Sequence, residues 1–400
     1  MLKTLLDRCC PRGAARLVLA LLVASPVWAQ ELGSAAGVEL PTEGQALRHA
    51  AIAARYAERA AAPRIDIAGG GLVAVLGGAA VRLTGRRPAV VQLPLPQDFG
   101  GQVPLAFATV ADPPEAVQSF HVHAEGSSGA VVTATLQGRS GLDVRLQWAA
   151  VVLVAERKAA AEAAAAAPWL AASACAQAEH EDVRALADRL APAAAPPAAL
   201  ARAVQQFVRE LQPRHPPKSL DALGLLASGQ NGICTANANL AAAVLRSRGV
   251  PARSLAVVPP IGVRLEMHRT VEWHEDGAWH RFDPSSLHEA VPMRATDGIV
   301  MAVTSIADEE RGGRLRMSAS LGCPYAQQIE IVGGPAILFG AEMFWTQALP
   351  LLAVAAEDQE LAAARACWRG FLGSGRLDPR AWAAAQAGDR ARFRAALLGD

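Results

Sequence analysis

Aromatic residues are scarce in this chain of 400. It holds two tyrosines, eight tryptophans and nine phenylalanines, 5 % of the whole. Hydrophobic residues still reach 52 %, largely alanine, so a large core is expected with small side chains filling much of it. Charge of one sign is lacking too. Lysine and arginine number 38 against 37 aspartates and glutamates, a formal net charge of +1. Without a basic surplus there is no electrostatic footprint for a phosphate backbone, and no nucleic-acid partner is expected. Long apolar runs are missing as well. The richest, residues 337–356, is interrupted by Glu342, Gln347 and Pro350, and reads as buried helices rather than a membrane span. The length suits two or three domains.

What is present begins with a leader pattern. Lys3, Arg8, Arg12 and Arg16 form a basic start, Leu17–Ala24 an apolar centre, and Val27-Trp28-Ala29 a small-residue site before Gln30. Residues 1–29 therefore predict a signal peptide and an exported chain, periplasmic or secreted. Removing them takes away four positive charges and one negative, Asp7, so the net charge falls from +1 to −2. Cys9 and Cys10 leave with the leader. Cys175, Cys234, Cys323 and Cys367 then face an oxidising compartment.

The rest divides by pattern. Residues 30–62 predict a helical segment. Over 63–156, short runs at 72–76, 89–93, 119–123, 131–136 and 144–154 alternate with turn residues, and predict an all-β sandwich. His121 and His123 share a strand face there, but two histidines without a third ligand imply no metal. Residues 157–179 are alanine-rich and predict a connecting helix. A mixed domain follows over 180–335, its sheet finished by runs at 299–303 and 329–332. A helical region over 336–400 is anchored by Trp368, Phe371, Trp382 and Phe393.

The chemistry concentrates in the mixed domain. Gln230-Asn231-Gly232 is a turn-type run. Apolar positions 238, 241 and 245 then recur at helical spacing, and Gly249 and Pro251 stop the helix. Cys234 thus starts a helix of about fourteen residues, where the helix dipole and free N–H groups favour a thiolate. Asp276-Gly277 predicts a two-residue hairpin turn. With 275 opposite 278, Val271, Trp273 and Phe282 share a core face. His268, Thr270, Glu272, Trp279 and Asp283 share the other. Asp283 is then a diagonal neighbour of His268, roughly 7 Å away between backbones. A buried structural cysteine and two ordinary strand residues would give the same spacing.

These residues together resemble the transglutaminase-like superfamily of papain-like cysteine enzymes. The resemblance rests on Gly232-Ile233-Cys234, Ala238, Arg246, Gly249-Val250-Pro251-Ala252-Arg253, His268, Gly277, Trp279 and Asp283-Pro284, in order. Leu186, Ala187 and Leu190 look like its upstream helix; Ala203, Val204, Phe207 and Val208 look like the helix before the cysteine loop. It covers about residues 180–290. It implies an α+β fold with a papain-like transglutaminase core, preceded by the sandwich and followed by a helical tail. It also implies Cys234 as nucleophile, His268 as base and acid, and Asp283 as the orienting carboxylate. By position alone, the Cys234 N–H is a candidate oxyanion donor and Gln230 or Asn231, just before it, a candidate second, while Thr270 and Trp279 are candidates to shape the entrance. No cofactor or metal is implied; the substrate would be a protein or peptide. The segment LPLPQDFGGQVPL, 93–105, is similar to β-domains preceding this core in exported bacterial relatives. Two departures bear on substrate preference. Thr270 stands where an aromatic is common, and Thr235, Asn237 and Asn239 are polar where bulkier residues are common.

Three functions remain open on this reading. The first is an acyl-transfer or hydrolytic enzyme at an amide bond, which the intact Cys, His and Asp favour. The second is a non-catalytic peptide-binding protein, and the third a structural envelope protein. Oligomeric state is not legible.

Overall fold

A computed structural model describes residues 69–125, 129–156, 166–213, 220–231, 233–258, 268–285, 291–314, 330–338, 344–353, 361–362 and 364–366. The expected leader, the 30–62 segment, residues 157–165 of the alanine-rich stretch, Cys323 and the tail from Cys367 lie outside them; the described part of that stretch, 166–179, holds one 3-10 turn, Ala167–Leu170, in place of the expected connecting helix.

Alternation in the first half produces two antiparallel sheets over one core. The strands are β1 (Gly70–Leu83), β2 (Ala89–Pro94), β3 (Gln102–Asp112), β4 (Val117–Glu125), β5 (Gly129–Leu136) and β6 (Asp143–Ala155). Three more come from late in the chain: β13 (Glu330–Gly333), β14 (Ala336–Leu338) and β15 (Phe344–Ala353). One sheet runs β14-β1-β6-β3, with β15 also on β1; the other runs β13-β2-β5-β4. Val75, Val81 and Leu146 from the first sheet meet Val91, Val132 and Leu136 from the second in one buried cluster. Gly77 lies opposite Trp148 across β1 and β6. A Cβ at residue 77 would come within 2.4 Å of the indole, so the glycine makes room for the ring.

The second half builds around one helix. Its helices include α1 (Glu181–Leu190), α2 (Pro197–Glu210), α3 (Ala222–Ser228), α4 (Cys234–Ser247) and α5 (Ile306–Arg314), and residues 361–362 and 364–366 are helical as well. β7 (Gln212–Pro213) and β8 (Gln230–Asn231) form a short parallel pair. A third sheet has the order β11 (Ala278–Phe282), β10 (His268–Glu275), β9 (Ala252–Val258) and β12 (Ile299–Val303). Every residue of α4 from Thr235 to Arg246 is buried. A helix buried on every side needs residues that are small and apolar, or polar ones whose groups are bonded. Alanine at 236, 238, 241, 242 and 243 supplies the first, and lets α1, α2, α3 and β10 pack closely on it.

The 93–105 segment joins the two halves. The Gln97 amide donates to Met301 O at 2.8 Å, and Gln102 Nε2 to Val300 O at 2.8 Å. Gln102 Oε1 accepts from Val300 N at 2.7 Å. Phe99 lies under the Arg253 guanidinium, and Asp98 pairs with Arg365 at 2.7 Å. Both glutamines are buried, and burial of an amide is tolerable because its polar atoms are bonded in this way.

Several expectations need correction. The 337–356 run is not helical where it is described. β14 and β15 cover it over 336–338 and 344–353, antiparallel to β1. Adding these strands covers an edge that β1 would otherwise leave open. The run at 329–332 joins β2 of the first half through β13, not the third sheet. Only 299–303 joins the third sheet, as β12 on β9. Strand β3 and helix α3 were not anticipated. The signal for α3 is Asp221, whose side chain accepts from Gly224 N at 2.8 Å as an N-cap, with Gly229 in the left-handed conformation at the other end.

Candidate active site

Three elements converge at the start of α4. Ile233 is extended and α4 begins at Cys234 itself, so the thiol sits in the first turn beside N–H groups that have no partner within the helix. Asp276 and Gly277 both have positive φ, 51° and 76°. That is the turn needed to pair Glu275 with Ala278 and Val271 with Phe282. Val271, Trp273 and Phe282 accordingly point into the core around α4. The register leaves His268 at one end of β10 and Asp283 just beyond β11.

His268 Nε2 and Asp283 Oδ2 are 2.6 Å apart. The other ring nitrogen, Nδ1, is left for the Cys234 thiol, which is hydrogen bonded to the His268 side chain. His268 and Asp283 are buried, whereas Cys234 is half-buried. Among the three, Cys234 is the residue that is partly exposed.

The electrostatics follow from this arrangement. Burial pushes the Cys234 thiol up. The hydrogen bond and charge of His268, then the backbone N–H and charge of Arg269, outweigh it, and the thiol ends below its ordinary value. Burial likewise pushes His268 down, but its bonds to Asp283 and Cys234 and their charges raise it to about 9. Both shifts favour a thiolate beside an imidazolium over a neutral thiol and imidazole.

The remaining candidates divide. Thr270 is buried two residues after His268, with its hydroxyl unpartnered among the described residues. Trp279 is half-buried and covers the Arg253 guanidinium, 3.8 Å from the ring centroid. That guanidinium pairs with Glu272, which Arg281 also holds at 3.0 Å. Trp279 thus packs on a buried ion cluster, a role that the sequence did not suggest. Gln230 and Asn231 lie in β8, leading into α4, and their side chains are outside the described set, as is Gly232. His121 is exposed; the side chain of His123 is not described. Among the described residues no group of three metal-binding side chains occurs, and no helix is long and apolar enough to cross a membrane.

Sequence reading missed the supports. Gln205 Nε2 of α2 donates to the Asp283 carbonyl at 2.9 Å. Ser285 N donates to Asp283 Oδ1 at 2.8 Å. Asn237 Nδ2 donates to Ser285 Oγ at 2.9 Å, and Asn239 Nδ2 to Leu220 O at 2.7 Å. The polar residues after Cys234 are brackets within the fold. The one available signal was their presence in a helix otherwise rich in alanine and leucine.

Residues 184–284 match the family model described as the transglutaminase-like superfamily, so the chain carries a transglutaminase-like core there. A structure of a candidate cysteine protease from Cytophaga hutchinsonii is similar over 71 % of this chain and 92 % of its own, at 14 % identity and a TM-score of 0.50. At that identity the likeness is one of fold: a mixed α/β chain with several antiparallel sheets and few helices. A structure of a candidate protease from Parabacteroides distasonis aligns over 56 % of this chain and 47 % of its own, at 15 % identity and a TM-score of 0.25. A comparison with curated proteins gave no match.

Proposed function

We propose that the transglutaminase-like core is the working part of an exported cysteine enzyme that transfers or hydrolyses an acyl group at an amide bond of a protein or peptide. The observation that carries this reading is the hydrogen-bonded chain from Cys234 through His268 to Asp283, in which only Cys234 is partly exposed. The leader pattern of residues 1–29 supports export.

The Cys234 thiolate attacks the carbonyl carbon, and the carbonyl electrons move to oxygen. The Cys234 N–H, in the first turn of α4, is a donor for that oxyanion. The His268 imidazolium gives its proton to the leaving amine, the C–N bond breaks, and a thioester remains. Neutral His268 then takes a proton from water or from an incoming amine, which attacks the thioester. The thiolate leaves and the pair is restored. Asp283 keeps the Nε2 proton in place throughout, so that Nδ1 faces the sulfur.

A peptidyl fluoromethyl ketone tests this directly. Mass spectrometry of the labelled mature protein should find the adduct on Cys234, not on buried Cys175, and Cys234→Ala should take up none. Peptide substrates incubated with and without a primary amine then separate the two acyl fates by product mass. A folded protein left unlabelled at Cys234 would favour a binding protein built on the same fold.

A further inference from the structure

We propose that Asn237 and Ser285 are positioning residues that close the Cys234–His268–Asp283 chain into a ring through the first turn of α4. This rests on the catalytic reading above. Asn237 lies three residues beyond Cys234, so the two share a helix face. Its amide donates to Ser285 Oγ at 2.9 Å. The Ser285 N–H donates to Asp283 Oδ1 at 2.8 Å, and Asp283 Oδ2 meets His268 Nε2 at 2.6 Å. His268 returns to the Cys234 thiol.

Each bond in the ring removes a freedom that the next one needs fixed. An aspartate side chain rotates readily about its last torsion. The Ser285 N–H occupies Oδ1, which turns Oδ2 toward the imidazole. That local turn could itself tilt away from α4, because Ser285 follows the end of β11. Asn237 ties it to the helix that carries the nucleophile. From the other side Gln205 holds the Asp283 carbonyl at 2.9 Å. Nucleophile and carboxylate are thereby fixed to each other without relying on the histidine between them. The imidazole keeps its place whether it is charged or neutral. A 1 %-exposed amide in an alanine-rich helix is costly unless it is bonded, and this is one of the bonds that satisfy it.

The test is the pH dependence of Cys234 alkylation by iodoacetamide, read beside thermal melting, in the mature protein. Ser285→Ala removes the acceptor and keeps the backbone N–H. Asn237→Leu removes the same bond from the other end at similar volume. Ser285→Thr restores the hydroxyl. His268 and the Arg269 charge, which act on the sulfur, and Asp283, which acts on His268, stay unchanged in all three. Ser285→Ala and Asn237→Leu should move the thiol transition upward by about one pH unit, roughly a tenfold loss of rate on its acid side. Ser285→Thr should behave as wild type. A wild-type profile in either folded variant, or a lowered melting point with the profile unmoved, would overturn the proposal and leave a structural bracket. Failure of the catalytic reading looks different: the wild-type protein itself would then show an ordinary thiol.

Discussion

Cys234→Ala should lose turnover by about 10⁴–10⁶, the scale seen when a covalent nucleophile is removed. Alanine is a good helix former at the first position of α4, and the site is only half-buried, so melting should change little. Asp283→Asn should lose less. An asparagine can keep an oxygen for the Ser285 N–H, but it then turns its NH₂ toward His268 Nε2. That demands a lone pair there, moves the ring proton to Nδ1, and leaves no base facing the sulfur. A serine triad loses about 10⁴ in turnover from this change. A thiolate–imidazolium pair partly stabilises itself, so a loss on the order of 10–10³ is expected. Because Asp283 is buried, melting should also fall, by roughly 1–3 kcal/mol of stability for a disturbed buried bond. Turnover per folded molecule is therefore the quantity to measure. Wild-type turnover in Asp283→Asn would reduce the site to a Cys–His pair.

The largest expected effect on stability lies at the other end of α4. Arg246 in its last turn is bidentate to Glu309 of α5, at 2.7 and 2.8 Å, and both side chains are essentially without solvent exposure. Arg246 also donates to Ala252 O and Ala171 O, and Ser173 Oγ donates to Glu309 at 2.5 Å. These bonds fix the axial position of the helix that carries Cys234. Glu309→Gln leaves a buried guanidinium without its counter-charge and should cost about 3–5 kcal/mol. Urea unfolding followed by tryptophan fluorescence measures it. Converting both residues to similar apolar ones, Arg246→Met with Glu309→Leu, should recover much of the loss, since the desolvation cost goes with the charges. A Glu309→Gln protein as stable as wild type would mean that water reaches this pair.

What could be read in advance was local. The ends of α4 follow from a turn run and a Gly-x-Pro stop, and it spans Cys234–Ser247. The hairpin register follows from Asp276-Gly277, whose backbone demands positive φ. His268 and Asp283 meet because that register leaves them adjacent. What could not be read depends on partners distant in sequence. β15, FWTQALPLLA, is apolar without a clean period, and strand and helix look alike in such a run. It is a strand because β1, more than 260 residues earlier, offers an open edge. The Gln97 and Gln102 contacts with β12 are of the same kind, as is the bond from Asn237 to Ser285. No spacing rule links a helix turn to a loop 48 residues on.

The central claim is that Cys234 is an activated thiol held by His268 and Asp283. Its most direct test is the rate of Cys234 alkylation by a small neutral reagent from pH 4 to 10, followed by mass spectrometry. The signs are fixed by the two shifts. The thiol is lowered, so thiolate persists to lower pH than in a free thiol and is lost as pH falls through the lowered value. His268 is raised from 6.5 to about 9, so its positive charge, and the stability it contributes, is full below about 6.5 and is lost as pH rises through about 9. The rate at Cys234 should therefore be high at neutral pH and change again near 9, when the imidazolium loses its proton. A single transition at the ordinary thiol value of about 8.5, with Cys234 no faster than a free thiol below it, would contradict the account.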